Sequence, residues 1–286
     1  MRAAYVVEII TPKKFVLNGL WFGPKKPKRA ILWIHGLSSS AFSKLGIVEK
    51  IVDANTAVLT FNNRGSATVS RVFRGRKQVL SGGGAEIFTE CLDDIDGAIR
   101  LARKMGAKDI FLAGHSTGCQ KAIYWAHKRR GRGVRGIILL APLSDYGGAS
   151  ALPGERKLLA RATRAARARM RKRTPNSFLP DGAWVHPITA QRFLSLYTPD
   201  SVEQSIFPYF DETRPARMFA SVRLPILAFF AAADEYADRP APRVARWFMR
   251  LTGANRFDAV IIPKVGHSFS GAEAKVAQTI KQWILA

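Results

Sequence analysis

Short apolar runs rich in β-branched residues alternate with segments of helical periodicity along most of the chain. Eight runs predict strands, namely AYVVEII, FVLNGLWF, RAILWI, TAVLTF, DIFLA, GIILL, ILAFFA and DAVII. Between them, segments such as AEIFTECLDDIDGAIRLARKMG place apolar residues three and four positions apart, as in a helix with one buried face. This alternation predicts a mostly parallel sheet of about eight strands, flanked by helices, with the first two strands in a hairpin. The basic segment 71–84 is expected to be a loop.

Residues 145–212 interrupt this alternation. They are rich in arginine, proline and aromatic residues, they lack a strong strand pattern, and they are too many for a plain loop in a compact domain. We therefore predict a helical, basic lid or cap insertion at 145–212, carried by a core that consists of residues 1–144 and 213–286.

Part of this insertion, residues 155–173, predicts a basic amphipathic helix with nine Lys or Arg and one acidic residue. Such a helix can cover an active site with its charges in solvent, or it can lie on an anionic membrane or bind nucleic acid. The first interpretation is favoured, and nucleic acid comes last because aromatic residues for base stacking are not interleaved. Aromatic residues recur further along the insertion, where they could form the core of a lid or contact an aromatic or acyl substrate. They are Trp184, Phe193, Tyr197, Phe207, Tyr209 and Phe210.

The composition is ordinary for a globular protein except in its charge. The 286 residues are 47% hydrophobic, which suffices for a large core without a disulfide or metal staple. Two cysteines outside any CxxC pattern and a first segment without a secretory apolar region predict a cytoplasmic protein. The net charge of +24 attracts anions but carries no information about the fold.

A candidate nucleophile lies in the sequence Gly114-His115-Ser116-Thr117-Gly118. The pattern G-x-S-x-G is weak by itself, but here a strand-forming run precedes it and a helix-forming run follows it directly. A strand, a tight turn and a helix with serine at the apex form a nucleophile elbow, whose strained backbone requires small residues on either side. The alternative is a helix-capping serine flanked by glycines. We predict that Ser116 is the nucleophile.

The base and the acid are predicted from their places after strands. His267 follows the last strand, at the sheet edge where such folds present their chemistry, and a surface histidine is the alternative. The acid is expected between serine and histidine in the chain. Asp234 is preferred to the adjacent Glu235 because it comes first after its strand. Weaker candidates for the acid are Asp211, Glu212 and Asp238.

An oxyanion hole is expected where His35-Gly36-Leu37 ends the strand RAILWI. A glycine in this turn allows the backbone to approach the site closely. The two donors are predicted to be the backbone N–H groups of Leu37 and Thr117.

Together, the HG turn at 35–36, the NNRG run at 62–65, the elbow at 114–118 and the Asp234 and His267 pair resemble the α/β-hydrolase superfamily. The resemblance covers nearly the whole chain except the insertion. The elbow with its following Gly-Cys-Gln, and the FNNRG run, are similar to a branch that contains fungal siderophore esterases. The resemblance implies the α/β-hydrolase fold and an intracellular esterase without a metal or organic cofactor. A serine nucleophile favours acyl transfer over the epoxide hydrolases and dehalogenases of the superfamily, which use aspartate.

The expected function is that of a serine hydrolase that cleaves carboxylic esters through an acyl-enzyme intermediate, with Ser116, His267 and Asp234 as its triad. The expected partner is a small-molecule ester with an anionic, aromatic or lipidic group, together with weak association with anionic surfaces and no specific nucleic acid. Two alternatives stay open. One is an amidase or peptidase with the same triad, and the other is a basic membrane- or nucleic-acid-binding protein that retains the fold without turnover.

Overall fold

The strands of the computed structural model, which describes residues 3–286, form one ten-stranded sheet. The strands are β1 (Ala4–Ile10), β2 (Phe15–Phe22), β3 (Arg29–Ile34), β4 (Thr56–Phe61), β5 (Ser70–Arg74), β6 (Lys77–Ser81), β7 (Asp109–His115), β8 (Gly136–Leu140), β9 (Ile226–Ala231) and β10 (Phe257–Ile262). The helices are α1 (Leu45–Ile51), α2 (Cys91–Lys104), α3 (Thr117–Arg129), α4 (Asp145–Ala151), α5 (Pro153–Arg171), α6 (Ala190–Tyr197), α7 (Arg217–Ala220), α8 (Ala241–Leu251) and α9 (Glu273–Trp283). The expected sheet with flanking helices is confirmed.

The order of the strands places a crevice beside β3. The order is β10-β9-β8-β7-β3-β4-β2-β5-β6, with β1 paired to β2. Strands β3, β4, β7, β8, β9 and β10 are parallel, and the remaining pairings are antiparallel. The chain continues from β3 to β4 on one side, whereas β7 lies on the other side. The loops after β3 and β7 therefore diverge, and sheets of this kind bind ligands at such a point.

The prediction of a loop at 71–84 was wrong, because β5 and β6 form an antiparallel hairpin there. Large apolar side chains of this hairpin, among them Phe73 and Leu80, are exposed, and basic residues separate them. The hairpin thus lacks the alternation of buried and exposed positions from which a strand is usually predicted. Gly75 supplies the turn with a positive φ of 59°.

Two apolar clusters lie on the two faces of the sheet, because successive residues of a strand point to opposite faces. From β3, Leu32 and Ile34 join a cluster that includes buried residues of α2, α3 and α8. Ile31 and Trp33 join the other cluster, which includes buried residues of α1 and α9. Helices thus cover both faces and leave the carboxyl ends of the parallel strands for the loops.

Residues 145–212 contain α4, α5 and α6, which share a third apolar cluster. Leu159, Ala162 and Ala166 of α5 are buried there with Phe193 and Leu196 of α6. Within residues 3–286, no helix is both long and apolar enough to cross a bilayer.

Buried ions connect this helical segment to the sheet domain. Arg192 of α6 is fully buried and pairs with Glu86 at 2.9 Å and with Glu203 at 2.5 Å. Glu86 also pairs with Lys121 of α3 at 2.7 Å, which extends the network to the helix that follows the turn of Ser116. Burial alone would raise the pKa of Glu86, but Lys121 and Arg192 more than offset this, so its pKa is lowered.

The NNRG run has a structural role. The guanidinium of Arg64 is buried and pairs with Glu90 at 2.9 Å, Asp93 at 3.2 Å and Asp94 at 2.7 Å. These contacts fasten the turn after β4 to the beginning of α2. Burial raises the pKa of Asp94 to about 6, although the charge of Arg64 acts in the opposite direction.

Candidate active site

The G-x-S-x-G sequence folds as a tight turn between β7 and α3. Ser116 adopts φ 54° and ψ −126°, a conformation that costs free energy and is typical of functional turns. A Cβ atom on Gly114 would overlap the carbonyl oxygen of Gly118, and one on Gly118 would overlap the carbonyl oxygen of Ile34. Both glycines are therefore required by the close approach of backbone segments around the serine.

His267 and Asp234 contact each other at the carboxyl edge of the sheet. Asp234 follows β9 and His267 follows β10, and 2.9 Å separates Oδ2 of Asp234 from Nδ1 of His267. The Asp234 side chain is buried, and its Oδ1 also accepts the backbone N–H of Tyr236 at 3.0 Å. Because the carboxylate can only accept, Nδ1 of His267 donates, which leaves Nε2 unprotonated in the neutral ring.

The backbone of His267 is held from two sides. Its N–H donates to Oε2 of Glu235 at 2.9 Å, and its carbonyl oxygen accepts from Nε2 of His115 at 2.9 Å. The hydrogen bond from His267 lowers the pKa of Glu235. Burial, followed by the charge of His267, lowers the pKa of His115 to about 3, so this ring is neutral. Sequence reasoning missed both contacts because they depend on how the end of β7 and the loops after β9 and β10 pack together.

The two adjacent acids thus contact different parts of His267. Asp234 contacts the imidazole, whereas Glu235 contacts the backbone. The three weaker candidates for the acid pair with arginines instead, and they are Asp211, Glu212 and Asp238.

Ser116 and His267 line the same cavity. Within the described residues, no hydrogen bond joins Oγ of Ser116 to the His267 ring. Hydrogen bonds between catalytic groups are often long without substrate and shorten when it binds.

Leu37 and Thr117, the predicted oxyanion-hole residues, also line this cavity. Thr117 is the first residue of α3, where a helical N–H has no acceptor within its own helix. Among residues 3–286, neither N–H group has a hydrogen-bond partner. A Cβ atom on Gly36 would lie 2.9 Å from Cβ of Ser116, so the glycine allows β3 and the elbow to approach each other.

The cavity has a volume of about 480 Å³, and residues of 145–212 form much of its wall. Two of the aromatic residues singled out in the sequence, Trp184 and Tyr197, line it with ring centroids 4.5 Å apart. Phe193 packs behind Trp184 at 5.1 Å, whereas Phe207 packs against Phe248 of α8. The predicted aromatic group is thus divided between the cavity wall and the core.

Asp145 adds a carboxyl group to the cavity, and no sequence motif marks it as a functional residue. Its Oδ2 accepts from Nε2 of Gln120 at 3.3 Å and from Nε2 of Gln204 at 3.5 Å. Burial, followed by the charge of Glu203, raises the pKa of Asp145 to about 7. The cavity therefore contains a carboxyl group that changes its charge near neutral pH.

Within the described part of the chain, no three His, Cys, Asp or Glu side chains are grouped so that they could bind a metal ion.

Comparisons with known sequences identify a family. Residues 82–284, more than half of the chain, match the family model described as "Protein of unknown function (DUF1749)". No curated protein sequence matches the chain.

Solved structures share the fold over nearly the whole chain. DcsB, in complex with its substrate analogue, has a TM-score of 0.71 at 14% identity and covers 99% of this chain and 98% of its own. Est1E from Butyrivibrio proteoclasticus, with bound ferulic acid, has a TM-score of 0.64 at 18% identity and covers 98% of each chain. A monoacylglycerol lipase from Paleococcus ferrophilus has a TM-score of 0.63 at 17% identity and covers 94% of this chain and 98% of its own. Such identities establish the fold alone. The chain therefore belongs to the DUF1749 family and has the α/β-hydrolase fold.

Proposed function

We propose that this protein is a serine hydrolase that cleaves carboxylic esters through an acyl-enzyme intermediate. The observation that supports it best is the 2.9 Å contact between Asp234 and His267 beside the strained turn of Ser116. A structure of similar fold holds ferulic acid, and another is a monoacylglycerol lipase, so acyl compounds occur among the structural relatives.

In the proposed first step, Nε2 of His267 removes the Ser116 proton while Oγ attacks the carbonyl carbon of the ester. The N–H groups of Leu37 and Thr117 stabilise the oxyanion, and Asp234 stabilises the imidazolium. When the intermediate collapses, the bond to the alkoxy oxygen breaks and His267 returns its proton to the leaving alcohol. In the second step, water loses a proton to His267 and attacks the acyl carbon. The bond from this carbon to Oγ of Ser116 then breaks, His267 returns the proton to Oγ, and the acid is released.

Residues 145–212 are proposed to act as a lid that excludes water and selects the substrate. Leu152, Trp184 and Tyr197 belong to this segment and line the cavity with apolar surface. Such a wall suits the apolar or aromatic part of an ester, and the unpartnered N–H groups of the turns suit its carbonyl oxygen. The proposed location is the cytoplasm, which the two free, buried cysteines favour.

The first test combines covalent labelling with turnover. A fluorophosphonate probe is expected to label the wild type and not Ser116→Ala, and short-chain p-nitrophenyl esters are expected to be hydrolysed by the wild type alone. Persistent labelling of Ser116→Ala would exclude Ser116 as the nucleophile. A matched anilide substrate identifies the alternative, because a preparation that cleaves the anilide and not the ester is an amidase.

A further inference from the structure

The first observation is a concentration of unpaired positive charge on α5 and the residues after it. Residues 155–173 carry eight of the 24 net positive charges of the chain. Within the described part of the chain, none of their nine Lys and Arg side chains forms a salt bridge. Elsewhere several arginines form salt bridges, and Glu212 binds three of them. Among the described residues, the cations of 155–173 have no acidic partner.

The second observation is that these cations form a row. Leu159, Ala162 and Ala166 of α5 are buried against the third apolar cluster, which fixes the direction of the helix faces. Exposed cations recur three, four or seven positions apart on the opposite face, and they are Lys157, Arg161, Arg164 and Arg171. From Lys157 to Arg171 the row spans about 21 Å at the helical rise of about 1.5 Å per residue, so it matches an extended anionic surface better than a single small ligand.

The third observation is exposed apolar surface at the beginning of this helix. Leu152, the residue before α5, is 44% exposed, and Val185 and Tyr236 are 69% and 60% exposed. All three line the cavity that contains Ser116. Leu152 directly precedes α5, and Glu155 of α5 lines the same cavity, so this apolar rim reaches the helix that carries the cations. Segments that combine exposed apolar side chains with cations are typical of surfaces that bind the headgroup region of a membrane.

We propose that α5 and the cavity rim formed by Leu152, Val185 and Tyr236 are a docking surface for an anionic lipid bilayer. The cations of α5 lie on the phosphate groups, and the rim side chains enter the headgroup region, so the cavity opens towards the membrane. A bilayer accounts for both the charge and the apolar rim, whereas a nucleic acid accounts for the charge alone. This inference extends the proposed function, because a substrate that partitions into the bilayer would reach the cavity directly.

The experiment measures binding of the full chain to vesicles by sedimentation. Vesicles of phosphatidylcholine with about 30% phosphatidylglycerol are expected to bind the wild type at about 0.1 M salt, and phosphatidylcholine vesicles are not. Each basic residue near such a surface raises the partition coefficient about fivefold, so removal of the row should lower it by at least about 100-fold. The variant for this measurement combines Lys157→Gln, Arg161→Gln, Arg164→Gln and Arg171→Gln.

A matched control removes the same charge from another surface. It combines substitutions by glutamine at four exposed basic residues, Lys26, Lys28, Lys104 and Arg132, which form no salt bridge with any described residue. Vesicle binding within about tenfold of the wild type is expected for this variant. An equal loss in both variants would show that net charge, not α5, controls binding, and it would overturn the proposal.

Two further arms separate the outcomes. Ser116→Ala should bind vesicles like the wild type, so failure of the proposed catalysis leaves this inference standing. Leu152→Ser with Val185→Ser should weaken vesicle binding but not binding to a short DNA duplex. Tighter binding to the duplex than to vesicles, abolished in the α5 variant, would replace the membrane with a nucleic acid. A far-UV circular dichroism spectrum and a urea midpoint like those of the wild type would show that the α5 variant is folded, whether or not the proposed catalysis holds.

Discussion

Replacement of Arg192 by methionine should strongly destabilise the protein. The guanidinium is fully buried, donates to the carbonyl oxygen of Gly83 at 3.0 Å, and pairs with Glu86 and Glu203. Burial opposes the charge of Arg192, but Glu203 and Glu86 outweigh it and raise its pKa, so it is a cation throughout. Methionine has a similar length and removes the charge without leaving a large cavity.

The size of the effect follows from what the two carboxylates retain. Glu86 keeps Lys121 at 2.7 Å, whereas the one side-chain partner that Glu203 keeps among residues 3–286 is the Ser195 hydroxyl at 2.8 Å. Removing one partner of a buried ion pair costs about 3–5 kcal/mol of unfolding free energy. The loss in Arg192→Met should lie at the upper end of this range, because Glu203 is left buried without a cation. The double variant Arg192→Met with Glu203→Gln should recover part of the loss, because the uncompensated charge is gone.

Urea denaturation, followed by tryptophan fluorescence and by far-UV circular dichroism, measures this loss. With a slope of about 3 kcal/mol/M, a loss of about 3–5 kcal/mol lowers the midpoint by about 1–1.7 M. A shift below about 0.3 M, or a double variant no more stable than the single one, would refute the reasoning.

Three further predictions concern the site. Asp234→Asn should lower kcat by about 10³- to 10⁴-fold in an ester assay because it removes the acceptor of the imidazole, whereas Glu235→Gln, which only loosens a positioning contact, should lower it by less than about 100-fold. Gly118→Ala should cost about 3 kcal/mol in urea denaturation, because its Cβ would overlap a backbone carbonyl that cannot move freely. The pKa of Asp145 is raised to about 7, so the wild type loses stability as the pH rises from about 4 to about 7, and Asp145→Asn should lack this loss in urea titrations across that range.

Each of these has an outcome that would contradict it. Equal losses of activity in Asp234→Asn and Glu235→Gln would contradict the assignment of Asp234 to the His267 ring and of Glu235 to the His267 backbone. An alanine tolerated at position 118 without loss of stability would mean that the elbow is looser than its geometry implies. Parallel pH profiles for the wild type and Asp145→Asn would place the titration on another group.

The local sequence pattern is sufficient to predict the sheet, its flanking helices and the turn that contains Ser116. The run DIFLA, the turn with Ser116 and the helix after it are adjacent in the chain, so a strand–turn–helix elbow follows from residue types alone. Asp234 and His267 were selected because each follows a strand, and parallel strands bring their carboxyl ends to one edge. Hydrophobic periodicity likewise predicted the sheet and its flanking helices.

Tertiary structure decided which side chains meet across distant segments. The contacts of His115 and Glu235 with the backbone of His267, and the link from Arg192 to Glu86, join residues far apart in the chain. The raised pKa of Asp145 results from burial and from the charge of its neighbour Glu203. Neither of these can be read from the residues adjacent to Asp145 in the chain. Periodicity reports which face of an element is buried, whereas a pKa or an ion pair depends on distances of a few ångströms between separate elements.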